Sequence, residues 1–359
     1  MKSCLLVAGT RPNFVKIAPL YRAFIAQKIV PVLVHTGQHF DGNMSDVFFS
    51  DLGLPPPDVN LGISGGDRIS QTKKIIAALV PVIQKNTPDA IVVVGDVTST
   101  IAATIAALST NVPLIHVESG LRSFNLSMPE EVNRIFVDHN ADELFVTEPQ
   151  GVINLSVEGI AADRIHLVGN VMIDSLMQIL PKIESLKCCE RFGLTAKKYI
   201  VATVHRPQNV DTDEALLNSV ALIKKVAEEI PVVFPVHPRT KTKMESLNIT
   251  FPASVICTDP LSYTEMISLM RDSAGVITDS GGIQEETTVL GIPCITLRTD
   301  TERPITITEG TNELIGMNSD DVVQAVQKIK RGDWKKGAAP HLWDGHAADR
   351  IVEILMKKY

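Results

Sequence analysis

Short apolar runs rich in Val and Ile alternate along the whole chain with longer segments of helical period. In the first half, residues 5–8, 30–35, 90–94, 114–117, 143–146 and 165–168 read as strands, and helical spacing predicts helices over 12–27, 71–84, 99–108, 130–140 and 150–158. The runs lack polar alternation, so the strands are covered on both faces, which requires a mostly parallel sheet. Residues 182–198 are charged and irregular and predict an exposed connection. The alternation then resumes, with strands at 199–204, 232–234, 255–257, 275–278 and 294–296, and an amphipathic helix over 346–358 closes the chain. The pattern predicts an α/β protein of two open sheets in tandem, with ligand bound beyond the strand ends in the cleft between them.

A chain of 359 residues suits two domains, and its apolar content of 45% supplies core for both. A net charge of −7 without a Lys/Arg-rich run argues against a nucleic-acid partner. The longest uncharged span, 97–117, is split by Asn111 and Pro113 and reads as a helix and a buried strand, so no membrane partner is expected. Five cysteines without a C-x-x-C spacing read as reduced, buried thiols of a cytoplasmic protein.

Candidate chemistry gathers at strand ends. The segment Asp279-Ser280-Gly281-Gly282 leads from a strand into a helix, where free N–H groups and the helix dipole favour an anion. Glu285 and Glu286 follow about one turn later, within reach of sugar hydroxyls. Together they point to a nucleotide sugar, although a turn capped by Ser280 accounts for the segment on its own. In the first half, Arg11, Asp96, His116, Glu118, Glu130 and Glu131 all fall where strands or helices meet loops. Crowded carboxylates raise one another's pKa, which suits proton transfer. Asp96 alternatively caps the helix that follows, and Glu131 is an ordinary acidic first turn; Glu118 interrupts a buried strand end. The pairs His205-Arg206 and His237-Pro238-Arg239 suit a diphosphate, and residues 298–303 form a charged loop. No G-x-G-x-x-G, P-loop or H-E-x-x-H motif is present, so no cofactor or metal is expected, and Gly62-Ile63-Ser64-Gly65-Gly66 matches G-x-S-x-G by chance.

Taken in order, Gly9-Thr10-Arg11-Pro12 with Lys16, Gly37-Gln38-His39, Gly95-Asp96, His116-Val117-Glu118, Pro129-Glu130-Glu131 with Asn133-Arg134, His205-Arg206, Pro235-Val236-His237, 279–286 and Thr301-Glu302-Arg303-Pro304 resemble the non-hydrolysing UDP-N-acetylglucosamine 2-epimerases over nearly the whole chain. The resemblance implies two Rossmann-like domains of GT-B type, 1–170 with the returning helix 346–359, and 171–345, with the active site in the interdomain cleft. It implies a homodimeric enzyme of polysaccharide biosynthesis that eliminates UDP from the sugar and adds it back with inverted C2. Asp96, Glu118 and Glu130 become acid/base candidates, and His205 with Arg11 steadies the leaving diphosphate. Ser280, Gly281 and Gly282 bind phosphate, Glu286 the ribose, and Lys16, Arg134, His237 and Arg303 complete the substrate contacts. Better-known members read His-Arg-Arg-Glu-Asn where this chain has His205-Arg206-Pro207-Gln208-Asn209, so the arginine associated with an allosteric site is absent, while Gln38 and His237 remain. Relatives acting on UDP-2,3-diacetamido uronic acids share motifs near Gly37 and Leu121. A GT-B glycosyltransferase, a hydrolysing epimerase and a silent UDP-sugar sensor are the competing readings.

Overall fold

The computed structural model describes residues 1–37 and 49–359. Gln38 and His39 therefore lie outside the described residues. The chain forms two compact units, Met1–Met177 with His341–Tyr359, and Gln178–Pro340. The first division falls inside a helix, Val171–Ile183, rather than in the loop before it.

The first unit is built on a seven-stranded parallel sheet: β1 (Ser3–Ala8), β2 (Val30–His35), β3 (Val59–Asn60), β4 (Ala90–Val94), β5 (Leu114–Ser119), β6 (Glu143–Val146) and β7 (Ile165–Leu167), in the order β3-β2-β1-β4-β5-β6-β7. Ala90-Ile-Val-Val-Val94 is buried at every position, as expected of a central parallel strand. The helix Thr98–Thr110 presents Ala102, Ala103, Ala106 and Ala107, all fully buried, and ends at Asn111 in the left-handed conformation that a short polar side chain tolerates. Trp343, 2% exposed, donates its Nε1–H to Thr147 O at 2.9 Å. The Asp174 carboxylate accepts the Ala347 and Ala348 N–H groups at 3.1 and 2.7 Å, which caps the last helix, Ala347–Lys358, on this unit.

The second unit repeats the plan with β8 (Ile200–Thr203), β9 (Val232–Pro235), β10 (Val255–Thr258), β11 (Gly275–Thr278), β12 (Cys294–Thr296) and β13 (Asn312–Leu314), ordered β10-β9-β8-β11-β12-β13. All pairs in both sheets are parallel. The order of strand addition reverses between β1 and β4 in one sheet and between β8 and β11 in the other, and ligands of such sheets sit outside the carboxyl ends at these points.

Two expectations are corrected. Residues 182–198 are not simply an exposed connection: they contain the helix Cys188–Arg191 with both cysteines buried. The segment is held by Ser268 Oγ donating to Leu186 O at 2.6 Å and Arg271 Nη1 to Ile183 O at 2.7 Å. The cysteines are all free thiols, but Cys257 is exposed where the others are buried.

Candidate functional site

At the switch point of the first unit, β4 ends in Gly95-Asp96 and β5 in Glu118-Ser119. Asp96 does not cap the following helix, whose N-cap is Val97. Its carboxylate instead pairs with Arg134 Nη2 at 2.5 Å, and its backbone O accepts from Asn133 Nδ2 at 2.7 Å. Asp96 keeps 25% of its side chain exposed, so it is held yet open to a ligand.

Glu118 sits where the pairing of β5 with β6 slips, between Val117 and Ser119, and its φ is +70°. A non-glycine residue in this region costs about 1–3 kcal/mol, and bulges of this kind re-aim side chains. The result is a buried carboxylate turned onto the buried Lys16 ammonium. Lys16 comes from the helix Arg11–Ala26 that follows β1. Gly95, at φ +66°, lies beside the pair; a Cβ there would be 3.1 Å from Glu118 Oε2 and 3.5 Å from Lys16 Nζ. The glycine is therefore needed both for its backbone angle and for room.

Glu131 is committed elsewhere: it accepts the Ser123 and Phe124 N–H groups at 2.9 and 2.8 Å and pairs with Arg134 at 2.6 Å. Glu130 is exposed in the same first turn, and Arg11 is exposed at the start of its helix.

In the second unit β8 runs into His205 and β11 into Asp279. Asp279 is fully buried and accepts from His205 N–H, Arg206 N–H and Asn209 Nδ2 at 3.0, 2.9 and 2.9 Å. His205 Nδ1 lies 2.8 Å from its Oδ1. Burial alone would raise the Asp279 carboxyl, but the hydrogen bond and charge of His205, with Arg206 N–H and Asn209, hold it below the ordinary carboxylate range. The carboxylate thus fixes the tautomer and direction of an imidazole that is 55% exposed.

The next residues open the helix Gly281–Leu290, with Gly281 and Gly282 at its free N-terminus and no capping bond from the Ser280 side chain. Arg303 lies against Gly281 and pairs with Glu285 through Nε at 2.7 Å and with Glu302 through Nη1. Arg298 Nη2 reaches Glu302 at 2.7 Å, so the 298–303 segment is a buried charge network rather than a solvated loop. Glu286 is buried and accepts from Tyr263 OH at 2.8 Å; burial first, then the neighbouring Glu285 charge, push its carboxyl up to about 8. His237, at the end of β9, is exposed, and its Nδ1 accepts from Arg239 N–H at 3.3 Å.

The structure therefore brings together Asp96, Glu118, Lys16 and Arg134 in one unit and His205, Ser280, Gly281, Gly282, Glu286 and Arg303 in the other. Glu130, Arg11 and His237 instead stand exposed at the starts of their helices. Two further participants are Asp279, which opens the 279–282 segment but receives no role from the sequence, and Tyr263, which the sequence does not single out. The first carries a signal, as an acid directly after a strand; the second carries none, since it meets Glu286 from a separate helix, Tyr263–Asp272.

The family model described as UDP-N-acetylglucosamine 2-epimerase matches residues 24–356. The UDP-N-acetylglucosamine 2-epimerase of Methanocaldococcus jannaschii is 36% identical over 98% of both chains. The UDP-2,3-diacetamido-2,3-dideoxy-D-glucuronate 2-epimerase of Pseudomonas aeruginosa is 39% identical over 98% of this chain and 99% of its own. The crystal structure of the M. jannaschii enzyme in complex with UDP-GlcNAc and UDP superposes with a TM-score of 0.90 at 35% identity, covering 99% of this chain and all of the other. With two Rossmann-like sheets and this likeness along its length, the chain belongs to the UDP-N-acetylglucosamine 2-epimerase family and is an isomerase.

Proposed function

We propose that the protein interconverts UDP-N-acetylglucosamine and UDP-N-acetylmannosamine without net hydrolysis. The C2 proton is not next to a carbonyl, so direct removal and return would be too slow. In the proposed route a carboxylate takes the C2 proton as the bond from C1 to the diphosphate oxygen breaks. This leaves UDP and a 2-acetamidoglucal with a C1–C2 double bond. The diphosphate oxygen then adds back to C1 while a proton is delivered to the opposite face of C2. The observation that carries this reading is Glu118, a buried carboxylate held against Lys16 on a left-handed bulge beside Asp96. Asp96, Glu118 and Glu130 are assigned to proton movement. His205, oriented by Asp279, and Arg11 are assigned to the departing diphosphate, the Gly281 turn with Arg303 to phosphate, and Glu286 to the ribose.

A second reading has one observation in its favour: the diacetamido-glucuronate epimerase of P. aeruginosa is 39% identical, against 36% for the M. jannaschii enzyme. On it the same chemistry acts on a UDP-2,3-diacetamido uronic acid. We further assign the enzyme to polysaccharide precursor supply in the cytoplasm, in keeping with five free thiols, and to a homodimer that covers the exposed Phe124 and Leu126. Light scattering on the purified protein tests the dimer.

Proton NMR in deuterated water with UDP-N-acetylglucosamine tests the activity. UDP-N-acetylmannosamine carrying deuterium at C2, without accumulating UDP, is the expected product. Free UDP with free sugar overturns the non-hydrolysing reading, and turnover of the diacetamido uronic acid substrate alone selects the second.

A further inference from the structure

The turn that carries Asp96 and the turn that carries Glu118 are tied to one buried carboxylate that the function proposed above leaves unused. Asp138, on the helix Pro129–Asn140, has no exposed surface. Its Oδ1 lies 2.7 Å from His116 Nδ1; its Oδ2 accepts from Gly120 N–H at 3.1 Å and pairs with Arg122 Nη1 at 2.7 Å. His116, equally buried, places its Nε2 on Gly95 O at 2.9 Å. Gly95 directly precedes Asp96, and Gly120 follows Glu118 by two positions. Gly95, Glu118 and Gly120 all hold positive φ, at +66°, +70° and +78°.

The two glycines take this conformation freely, but a left-handed glutamate persists only where its surroundings over-determine it. Here one carboxylate grips the chain after Glu118, and a histidine relays its grip to the chain before Asp96. Burial by itself would raise Asp138, but the charges of His116 and Arg122 and their hydrogen bonds bring it below its ordinary value, which keeps it an acceptor on both oxygens.

We propose that Asp138 and His116 are positioning residues, which fix the Gly95 and Gly120 turns and so aim Asp96 and Glu118 at the reacting sugar carbon. The catalytic part of this proposal rests on the epimerase reading, and the geometric part stands without it.

The test uses Asp138→Asn and His116→Asn in the full chain. His166→Gln serves as comparison, because His166 also pairs with a carboxylate, Glu143 at 2.7 Å, but on the last strands of the sheet. The positioning variants are expected to lose roughly tenfold to hundredfold in kcat with KM within about twofold, and to shift the pH profile of kcat. His166→Gln is expected to change thermal stability alone. Amide hydrogen exchange over 118–122 is expected to quicken in Asp138→Asn. Should that variant fail to fold, His116→Gln, which keeps a donor for Gly95 O but releases Asp138, carries the same measurements. Unchanged kcat and pH profile in folded variants, or unchanged exchange at Gly120, overturns the proposal. A wild-type protein without epimerase activity overturns the epimerase reading instead, and the exchange measurement still decides whether Asp138 holds the turn.

Discussion

Lys16 and Glu118 form an ion pair with only 10% and 5% of their side chains exposed, next to a glycine whose missing side chain leaves room for it. A buried pair of this kind is weak evidence for stability, since desolvation offsets much of the attraction, so its retention asks for another reason. The proton transfer proposed for Glu118 supplies such a reason. Glu118→Gln keeps the shape and removes the ionisable group; we expect epimerisation to fall by roughly a thousandfold or more while UDP affinity stays within about threefold. Turnover near wild type in the NMR assay refutes the assignment of Glu118, and calorimetry with UDP separates lost chemistry from lost folding.

Gly95 offers a milder perturbation of the same pair. Alanine at this position takes on the cost of a left-handed φ, about 1–2 kcal/mol, and puts its Cβ 3.1 Å from Glu118 Oε2. Lower thermal stability together with a kcat reduced by roughly tenfold is expected, with UDP binding unaffected. A variant that loses stability but keeps kcat shows that the carboxylate tolerates displacement.

In the second unit the tight approach is between Gly281 and Arg303. A Cβ on Gly281 would lie 2.5 Å from Arg303 Nη1 and 2.9 Å from its Cζ, and Arg303 is held in place by Glu285 and Glu302. Gly281→Ala therefore displaces the cation from the helix N-terminus. UDP affinity is expected to drop by roughly tenfold or more, about 1.4 kcal/mol, with epimerase kcat at saturating substrate less affected. Calorimetry that returns the wild-type affinity removes the turn and Arg303 from the phosphate site.

Much of this architecture is legible in the sequence, and the exceptions have physical causes. A strand such as β4 announces itself because it is buried on both faces of a parallel sheet and apolar throughout. By contrast, β3 is the two residues Val59-Asn60 and β13 is Asn312-Glu313-Leu314, so neither presents an apolar run to register. Residues 182–198 look solvated by composition, yet Cys188 and Cys189 are buried, an outcome of packing against the Tyr263–Asp272 helix that no local pattern encodes. The acids at strand ends are readable as a set. Their individual roles are not: Glu118 and Glu131 are both buried, but one faces an ammonium on a strained bulge and the other ties down a loop. That difference arises from backbone direction, and the same holds for Glu286, whose partner Tyr263 is separated from it in sequence.

The Glu286 carboxyl provides the pH-dependent prediction. Buried beside Glu285, it titrates at about 8 in the folded protein against 4.5 for an ordinary glutamate, so its contribution to stability is fully present below pH 4.5 and is lost as pH rises through 8. Glu286→Gln is therefore expected to be more heat-stable than wild type at pH 9, by a smaller margin at pH 6, and to lose that advantage only near pH 4.5, where the carboxyl is protonated in the folded and the unfolded chain alike. Nucleotide binding runs the other way. In the ribose contact proposed for Glu286 the hydroxyls donate to the ionised carboxylate, so binding is expected to favour the deprotonated form and to release a proton below pH 8. UDP affinity is expected to climb from pH 6.5 to 8.5, by at most about tenfold per pH unit, and to level off above it. Calorimetry in two buffers of different ionisation enthalpy counts the proton directly. In Glu286→Gln both the slope and the released proton are expected to vanish, which separates this carboxyl from His205 and from the phosphates. A wild-type affinity that is flat across the range, with no proton released, means that Glu286 does not meet the ribose in its ionised form.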